Sequence, residues 1–416
     1  MAELNSLAAS EMEQEDDLSR IREVTEDAPI VKLVNLLISQ AVADRASDIH
    51  IEPAETDVRV RYRIDGVMHE VDIVPKAVQS ALISRLKIMS NVDITERRVP
   101  QNGRITIQLG QRKVDFRTAT LPTVWGEKVV LRVLDTSGID LELRKLGFTE
   151  HNYGRYSASF SKPHGMILVT GPTGSGKSTT LYATLTEINK PTVNIITVED
   201  PVEYRLSGVN QVHVDHKAGL TFAAVLPAIL RSDPDIVLIG EIRDRVTAQL
   251  AVEAALTGHL VLSTLHTNDA PSTVSRLLNM GIEPFLVTSA VNLILAQRLA
   301  RKLCQECKKP VDVPQQALLD IGVQPDEAGS FQVFEPGGCR TCNDRGYKGR
   351  VALYEVMPLW DSLKELVING ASTAELKAEA IRLGMQTLRM AGIAKLKSGM
   401  TSIEEVVGNT APDTMR

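Results

Sequence analysis

Aromatic residues are scarce in this 416-residue chain, at 4%. Proteins that hold single-stranded nucleic acid stack bases on aromatic rings, so the scarcity speaks against that class. A basic balance is missing too: 46 Lys and Arg stand against 52 Asp and Glu, a formal net charge of −6. That sign argues against bulk electrostatic binding to nucleic acid or to an anionic membrane. Apolar runs such as Leu286 to Ala296 fall well short of the roughly 20 residues that a membrane-spanning helix needs. The stretch Met1 to Arg20 is acidic and polar, without the basic start and apolar centre of a secretory signal. The sequence therefore reads as a cytosolic protein. Cysteine is limited to four residues, all in two CxxC pairs. In a cytosolic protein that spacing points to a metal before a disulfide. What remains is a 43% hydrophobic, 24% charged composition, typical of a soluble globular chain. Its length suits two or three domains.

The pattern divides the chain. Residues 1–27 are rich in Glu, Asp and Ser and are expected to be a flexible tail. Pro29 to Ala46 repeats apolar residues every three or four positions, which predicts an amphipathic helix. Alternation over Asp48–Glu52 and Val58–Ile64 predicts strands, and Asp65-Gly66 a hairpin turn. A helix over Val78–Met89 and strands over Gly103–Leu109, Lys113–Thr118 and Lys128–Leu134 complete an α+β domain over 28–135. Thr136-Ser137-Gly138 reads as a hinge. From 136 to 300, strands at Met166–Val169, Ile195–Val198, Ile236–Ile239 and Leu260–Leu262 alternate with helices at Ser178–Ile188, Phe222–Arg231 and Arg245–Leu256. That rhythm predicts a mainly parallel sheet with helices on both faces. It stops near 300. Residues 301–350 form a Cys- and Gly-containing module; 351–416 hold a short strand, Val351–Glu355, and then helices from Leu363 to about Val407.

Gly171-Pro172-Thr173-Gly174-Ser175-Gly176-Lys177-Ser178 fits GxxxxGK[ST], between a predicted strand and a predicted helix. With Thr179 these residues are the candidate nucleotide phosphate site. Glycines let backbone N–H groups turn towards phosphate oxygens, and the helix start adds its positive dipole end. Lys177, expected in an exposed loop, reaches the β- and γ-phosphates, and the Ser178 hydroxyl holds Mg²⁺. Ligands of open α/β sheets lie beyond the carboxyl ends of the strands. There the sequence delivers Glu199-Asp200 with Glu203, Gly240-Glu241, and Ser263 to Thr267 with His266. Each alone could cap a helix; three strands aimed at one edge favour a site. Phosphoryl transfer needs one carboxylate to orient or deprotonate water and another to hold Mg²⁺. Glu199 and Glu241 are the candidates, with their roles open. His259 and His266 bracket one strand, and either could sense phosphate or satisfy a core hydrogen bond.

Cys304-Gln-Glu-Cys307 and Cys339-Arg-Thr-Cys342 suit one tetrahedral Zn²⁺, with disulfides or free thiols as the alternatives. Gly337-Gly338 and Gly346 supply tight turns around the second pair. Four protein ligands leave no position open for substrate, so the zinc is expected to be structural.

Three long motifs carry a family resemblance. They are Ile-Thr-Val-Glu-Asp-Pro-Val-Glu-Tyr (196–204), Ser-Asp-Pro-Asp-Ile-Val-Leu-Ile-Gly-Glu-Ile-Arg-Asp (232–244) and Thr-Gly-His-Leu-Val-Leu-Ser-Thr-Leu-His-Thr-Asn-Asp-Ala (257–270). With Ala-Ser-Asp-Ile-His-Ile-Glu-Pro (46–53), they resemble the aspartate box, Walker B region, histidine box and first-domain motif of the type II secretion and type IV pilus assembly ATPases. The resemblance covers roughly residues 28 to 405. It implies an α/β fold: a RecA-like P-loop ATPase domain preceded by a smaller α+β, PAS-like domain, with a tetracysteine zinc module and C-terminal helices. It implies ATP, Mg²⁺ and Zn²⁺ as cofactors. It implies a homohexamer on the cytoplasmic face of the inner membrane, held there by partners without a span of its own. ATP-driven domain motions would turn a membrane platform protein, alongside other pilus or secretion assembly proteins, and no nucleic acid is implied. By local match, Arg117 in Val-Asp-Phe-Arg-Thr and Arg132 in Val-Val-Leu-Arg-Val would be arginine fingers. On charge pattern alone both read as a solvated strand face, as do Arg59, Arg61 and Arg63. Two departures stand out: Pro227 replaces a basic residue common in the family, and the long N-terminal domain of many relatives is not present. Pilus retraction ATPases lack the cysteine module, so extension or secretion is implied; wording near Gly208–Thr221 leans towards the pilus. Competing readings are a nucleotide-gated scaffold with little turnover, and a conjugation or DNA-translocating motor on the same core.

Overall fold

The computed structural model describes residues 28–110, 112–134 and 141–413. The tail expected over 1–27 and the hinge expected at 136–138 lie outside the described residues. The chain divides into two compact units between Ile139 and Asp140.

The first unit opens with helix α1 (Ala28–Ala43) and strands β1 (Ala46–Pro53), β2 (Asp57–Ile64) and β3 (Val67–Pro75). Helix α2 (Gln79–Met89) follows, then β4 (Gln101–Leu109), β5 (Arg112–Thr123) and β6 (Gly126–Leu134). The sheet order is β3-β2-β1-β6-β5-β4, antiparallel throughout. It is two three-stranded meanders joined through β1 and β6. Asp65 and Gly66 turn β2 into β3 with φ of 49° and 90°, the left-handed pair that a two-residue hairpin needs. β3 escaped the sequence pattern because Val67, Val71 and Ile73 stay exposed on this edge strand. Along β2, Val58, Val60, Tyr62 and Ile64 are buried while Arg59, Arg61 and Arg63 take the other face. The buried face packs Ile49, Ile51, Phe116 and Leu131 against Val34, Leu37, Ile38, Leu82 and Leu86 of the helices. Tyr62 donates its hydroxyl to Leu37 O at 2.6 Å, which satisfies the one polar atom of that ring.

The second unit carries α3 (Glu150–Phe160), β7 (Gly165–Thr170), α4 (Lys177–Ile188), β8 (Ile195–Glu199), β9 (Asn210–His213) and α5 (Phe222–Leu230). Next come β10 (Ile236–Ile239), α6 (Arg245–Leu256), β11 (Leu260–Leu265), α7 (Ala270–Asn279), α8 (Pro284–Ala290) and β12 (Val291–Leu303). The cysteine segment holds β13 (Lys309–Val311), α9 (Gln315–Asp320) and β14 (Val333–Glu335); then follow β15 (Tyr347–Pro358) and helices α10 (Asp361–Ile368), α11 (Thr373–Arg382), α12 (Leu388–Lys397) and α13 (Ile403–Asn409). The main sheet has the order β15-β12-β7-β11-β10-β8-β9. Only β15 runs against its neighbour; the other pairings are parallel. Successive residues of β7 feed two cores: Ile167 and Val169 meet Tyr156, Phe160 and Leu181 on one face, Met166 and Leu168 meet Ala251, Val274 and Val287 on the other. The chain's β-α-β rhythm thus gives a sheet covered on both faces, and the strands read as unbroken apolar runs for that reason.

Sequence and structure part company at β12. The rhythm was expected to stop near 300, yet the sheet gains two strands there, and residue 300 falls inside β12. No turn residue marks its start, since α8 ends at Ala290 and β12 begins at Val291. A buried strand that follows a helix without a break has no period of its own to read. The short strand expected at Val351–Glu355 is the middle of β15. Helix α5 runs through Pro227, giving up one ladder hydrogen bond without ending.

One buried ion pair pins the first unit. Lys87 of α2 and Glu127 of β6 are both buried, with Nζ 2.9 Å from Oε1, and Lys87 also donates to Glu96 O at 2.5 Å. Breaking such a pair strands a buried charge and typically costs about 3–5 kcal/mol, whereas replacing both partners by apolar residues is often neutral. Glu127→Leu should therefore lower the stability of this unit by about 3 kcal/mol. Adding Lys87→Met should restore most of it. Urea unfolding followed by the fluorescence of Trp125 reads this; a double variant as unstable as the single one would refute it.

Candidate functional site

The loop from β7 to α4 is built by its glycines. Gly171, Gly174 and Gly176 have φ of 146°, 80° and 88°, a region that L side chains rarely enter. A Cβ on Gly171 would stand 2.5 Å from Gln297 O and 2.7 Å from Ser175 Oγ, and one on Gly176 would stand 2.8 Å from Gln297 Nε2. The backbone can pass only without side chains there. Pro172, Thr173 and Gly174 face solvent; Ser175 is buried with its Oγ unpartnered. Gly176 caps α4 without a side-chain hydrogen bond, so the N–H groups of the first turn stay open to an acceptor. An orphaned hydroxyl, open N–H groups and a helix dipole fit a phosphate chain.

Lys177 is not in an exposed loop, as the sequence suggested. It is the first residue of α4 and buried, donating from Nζ to Gly171 O at 2.7 Å and Pro172 O at 3.0 Å. Burial lowers its pKa to about 8, with Glu241 opposing the fall and Arg298 adding to it. Its charge is thus largely kept at neutral pH but poorly solvated, which favours an anionic partner. Ser178 is exposed and Thr179 half-buried on the same turn.

The two candidate carboxylates have different surroundings. Glu199, at the end of β8, is buried. It accepts from Tyr182 of α4, from Thr197 Oγ1 at 2.5 Å and from Gln211 Nε2 at 3.2 Å. Its oxygens are committed to binding α4, β8 and β9 together. Glu241 follows β10 on a turn fixed by Gly240 N to Val198 O at 2.8 Å, Thr264 Oγ1 to Gly240 O at 2.7 Å and Ile242 N to Thr264 O at 3.0 Å. One oxygen meets Arg243 at 2.6 Å and the other lies 3.5 Å from His266 Nε2. Glu241 therefore shares the sheet edge with Lys177 and His266, while Glu199 stands in a network of its own. His259 sits at the amino end of β11, with Nδ1 3.0 Å from Ala254 O at the close of α6. That is a helix-end contact at the far edge from the loop, and only His266 of the two histidines belongs to the site.

The missed strand brings residues that the sequence pattern passed over. β12 is level with β7 up to Ala296 opposite Thr170, so Gln297 and Arg298 flank the phosphate loop. Gln297 accepts from Thr180 Oγ1 of α4 at 2.8 Å. Arg298 donates to Gln297 O at 3.0 Å and to Asn268 O and Oδ1 at 3.0 and 3.2 Å. A polar pair closing the apolar run at Ala296 was the available signal. In the first unit, cross-strand register aligns Arg63, Asp48, Arg132, Arg117 and Arg104 in one lateral row over β2, β1, β6, β5 and β4. Arg132 Nε meets Asp48 at 3.0 Å and Arg63 lies 3.9 Å from it. Arg117 is thus the direct cross-strand neighbour of both Arg132 and Arg104. Arg61 is spent on Glu52, at 2.7 Å.

The four cysteines converge. Their sulfurs all lie within 4.8 Å of one another, with Cys304–Cys339 at 3.8 Å and both Cys307–Cys342 and Cys339–Cys342 at 3.7 Å. Zn–S bonds of about 2.3 Å give a tetrahedral S–S edge of about 3.8 Å, whereas a disulfide needs about 2.0 Å. Gly346 N donates to Cys342 Sγ at 3.2 Å. A Cβ on Gly337 would stand 2.0 Å from Cys307 O, which explains that glycine. The cluster hangs on the β12–β15 ribbon beyond the loop edge, over a small core of Leu318, Val323 and Val333 with Ile393 and Leu396 of α12.

Comparison with known proteins agrees with this geometry. Residues 23–408 match the family model described as type II/IV secretion system protein. The type IV pilus assembly ATPase PilB of Myxococcus xanthus is 60% identical over 403 residues, which are 96% of this chain and 71% of that protein. The type II secretion system protein E of Aeromonas hydrophila is 48% identical, over 97% of this chain and 80% of its own length. Among solved structures, the ATPase DotB of Legionella pneumophila superposes with a TM-score of 0.66 at 18% identity, over 90% of this chain and 94% of that one, a likeness of fold. The pilus retraction motor PilT with bound ADP gives 0.60 at 26% identity, over 91% and 96%. With a family match over nearly all of its length and a phosphate loop built as that family's chemistry requires, the chain belongs to the type II/IV secretion system protein family and is one of its ATPases.

Proposed function

We propose that this chain is the ATP-hydrolysing motor of type IV pilus extension, acting as a homohexamer at the cytoplasmic face of the inner membrane on a platform protein. The observation that carries the chemistry is the convergence of Lys177, Glu241 and His266 at one sheet edge beside an uncapped helix start. The pilus reading rests on the 60% identity to a pilus assembly ATPase, against 48% for a type II secretion protein. Among the described residues no helix is long and apolar enough to cross a membrane, so contact with the membrane machinery is assigned to partners.

In this reading the loop N–H groups from Gly171 to Gly176 and Lys177 hold the phosphates, Thr179 supports the turn, and Ser178 holds Mg²⁺. Glu241 orients and deprotonates the attacking water, since among the described residues one of its oxygens is met by His266 at 3.5 Å, too far for a tight hydrogen bond. His266 steers that carboxylate and registers the terminal phosphate. Glu199 is a positioning residue: it fixes α4 through Tyr182. Arg117 and Arg132 supply guanidinium charge to the transferring phosphoryl group, and the lateral row adds Arg104 beside them. Cys304, Cys307, Cys339 and Cys342 hold a structural Zn²⁺ that stiffens the β12–β15 ribbon.

Three measurements test these roles. Glu241→Gln should cut steady-state phosphate release by about 10²-fold or more, as loss of a general base does, with ATP affinity within about one order of magnitude. Glu199→Gln should lower thermal stability and keep more than roughly a tenth of turnover; the reverse ranking would exchange the two roles. Arg117→Ala and Arg132→Ala should each leave nucleotide affinity within about tenfold while cutting turnover about 10²-fold, and Lys should rescue poorly because the planar fork is lost. Normal turnover in both would remove the first unit from the chemistry. Metal analysis of protein purified without chelator should find about one zinc per chain. Cys342→Ser should expose the 305–345 segment to limited protease digestion, and a metal-free native protein would sink the zinc assignment.

A further inference from the structure

We propose that Arg298 is a second cation of the phosphate loop, and that Glu355 is the positioning residue that keeps it there by joining the starts of α7 and α12. This rests on the loop being an ATP site.

Arg298 stands against the first loop residue: a Cβ on Gly171 would lie 3.2 Å from its Nη1. Burial lowers its pKa, and its charge in turn disfavours the proton on Lys177. Two poorly solvated cations beside one loop repel each other, and a polyphosphate is the chemistry that relieves the repulsion. The guanidinium is fixed by both arms, one on Gln297 O and the other on Asn268. Its fork therefore ties the middle of β12 to the segment that starts α7.

That segment is held from below by one carboxylate. Asp269 caps α7 by accepting from Ser272 N at 2.9 Å, and the next residue, Ala270, donates its N–H to Glu355 Oε1 at 2.7 Å. Glu355 Oε2 accepts from Leu388 N, the first residue of α12, at 3.3 Å. Glu355 is buried on β15 and bonds the first N–H of two different helices. The physical chain is short: α12 start, Glu355, α7 start, Asn268, Arg298, Gly171. Of these residues only Gly171 belongs to the phosphate loop of the reading above.

Glu355 faces Arg298 from β12, Asp269 from the α7 cap, Lys377 from α11, Arg389 from α12 and Asp413 beyond α13, around a cleft of about 350 Å³. Burial is the main force on it and raises its pKa to about 7; Asp269 adds to the rise, while the two N–H bonds and Lys377 oppose it. Above that pH the carboxylate is ionised, accepts both N–H groups at full strength and attracts Arg298. Below it the neutral acid holds α7 and α12 more weakly. The grip on the loop should therefore tighten as pH rises through 7.

The test is MgATP hydrolysis and equilibrium ADP binding by the full chain between pH 6 and 8.5. Arg298→Ala should raise the KM for MgATP roughly tenfold with a smaller fall in kcat, and Arg298→Lys should recover only part, since one ammonium cannot replace the fork. Glu355→Gln should raise KM severalfold at pH 8 but not at pH 6, removing the component of the wild-type profile near 7. Combined with Arg298→Ala it should add nothing further, because both act through one contact. A merely structural Glu355 predicts otherwise: Gln would relieve a buried charge and raise stability at pH 8 with KM unmoved. The proposal fails if Arg298→Ala leaves KM unchanged, if the two effects add, or if Glu355→Gln keeps the wild-type pH profile. Should Glu355→Gln not fold, Glu355→Asp, charged but shorter, must raise KM at pH 8 or the proposal fails. Lys177→Ala separates this from the parent reading: ADP binding lost there but intact in Arg298→Ala overturns the proposal alone, and binding intact in Lys177→Ala overturns the phosphate-loop assignment itself.

Discussion

Parallel strands have all their carboxyl ends on one side, and the second unit is organised by that constraint. β7, β11, β10 and β8 run together in register, so the residues that follow them arrive at a common edge. The phosphate loop follows β7, His266 follows β11, Glu241 follows β10 and Glu199 ends β8. No long-range loop has to be folded into place to assemble the site. The covered faces of the sheet supply the rigidity, since Ile167, Leu168 and Val169 are fully buried between the two cores. Crossing polar bonds then fix the edge itself: Ser263 Oγ to Ile239 O at 2.7 Å, Thr264 Oγ1 to Gly240 O at 2.7 Å, and the Thr170–Thr267 hydroxyl pair at 2.6 Å.

At this edge, charge is placed where water is partly excluded, and the balance decides what each group can do. Lys177 keeps its proton at neutral pH but lies among carbonyl oxygens that a phosphate would outcompete. Glu199 is fully hydrogen-bonded and acts as a strut, whereas Glu241 has its charge divided between an exposed arginine and a histidine. Two glutamates equivalent as letters are separated by their partners alone. The same logic governs the first unit, where the buried Lys87 is paired with Glu127 and the exposed Arg132 with Asp48.

The cysteine cluster and the C-terminal helices belong to this design through β12 and β15. These strands pass the loop edge and continue as a two-stranded ribbon to Leu303 and Tyr347, which brings Cys304 to the ribbon's end. Four sulfurs spaced for one tetrahedral metal converge there, beyond the reach of the main core. Glu355 on the same ribbon meets α7 and α12. The layer that the sequence pattern assigned to a separate module is thus continuous with the sheet that holds the phosphate loop.

The sequence by itself determined the elements whose signals are local. The period of two in Val58–Ile64 set β2 and its turn, the apolar runs before Gly171, Glu199 and Glu241 set three parallel strands, and the glycine spacing set the loop. Backbone sterics and burial act over a few residues there, so a few residues suffice to read them. The cysteine spacing likewise foretold that the four thiols would converge. Tertiary structure alone decided the rest. β12 has no period because it is buried on both faces and follows α8 directly. The burial of Lys177, the separation of Glu199 from Glu241, the far position of His259 and the approach of Arg298 to Gly171 all depend on residues distant in the chain. A side chain's partners and its exposure to water are set by packing across the sheet, and a linear pattern carries no record of which strand lies beside which.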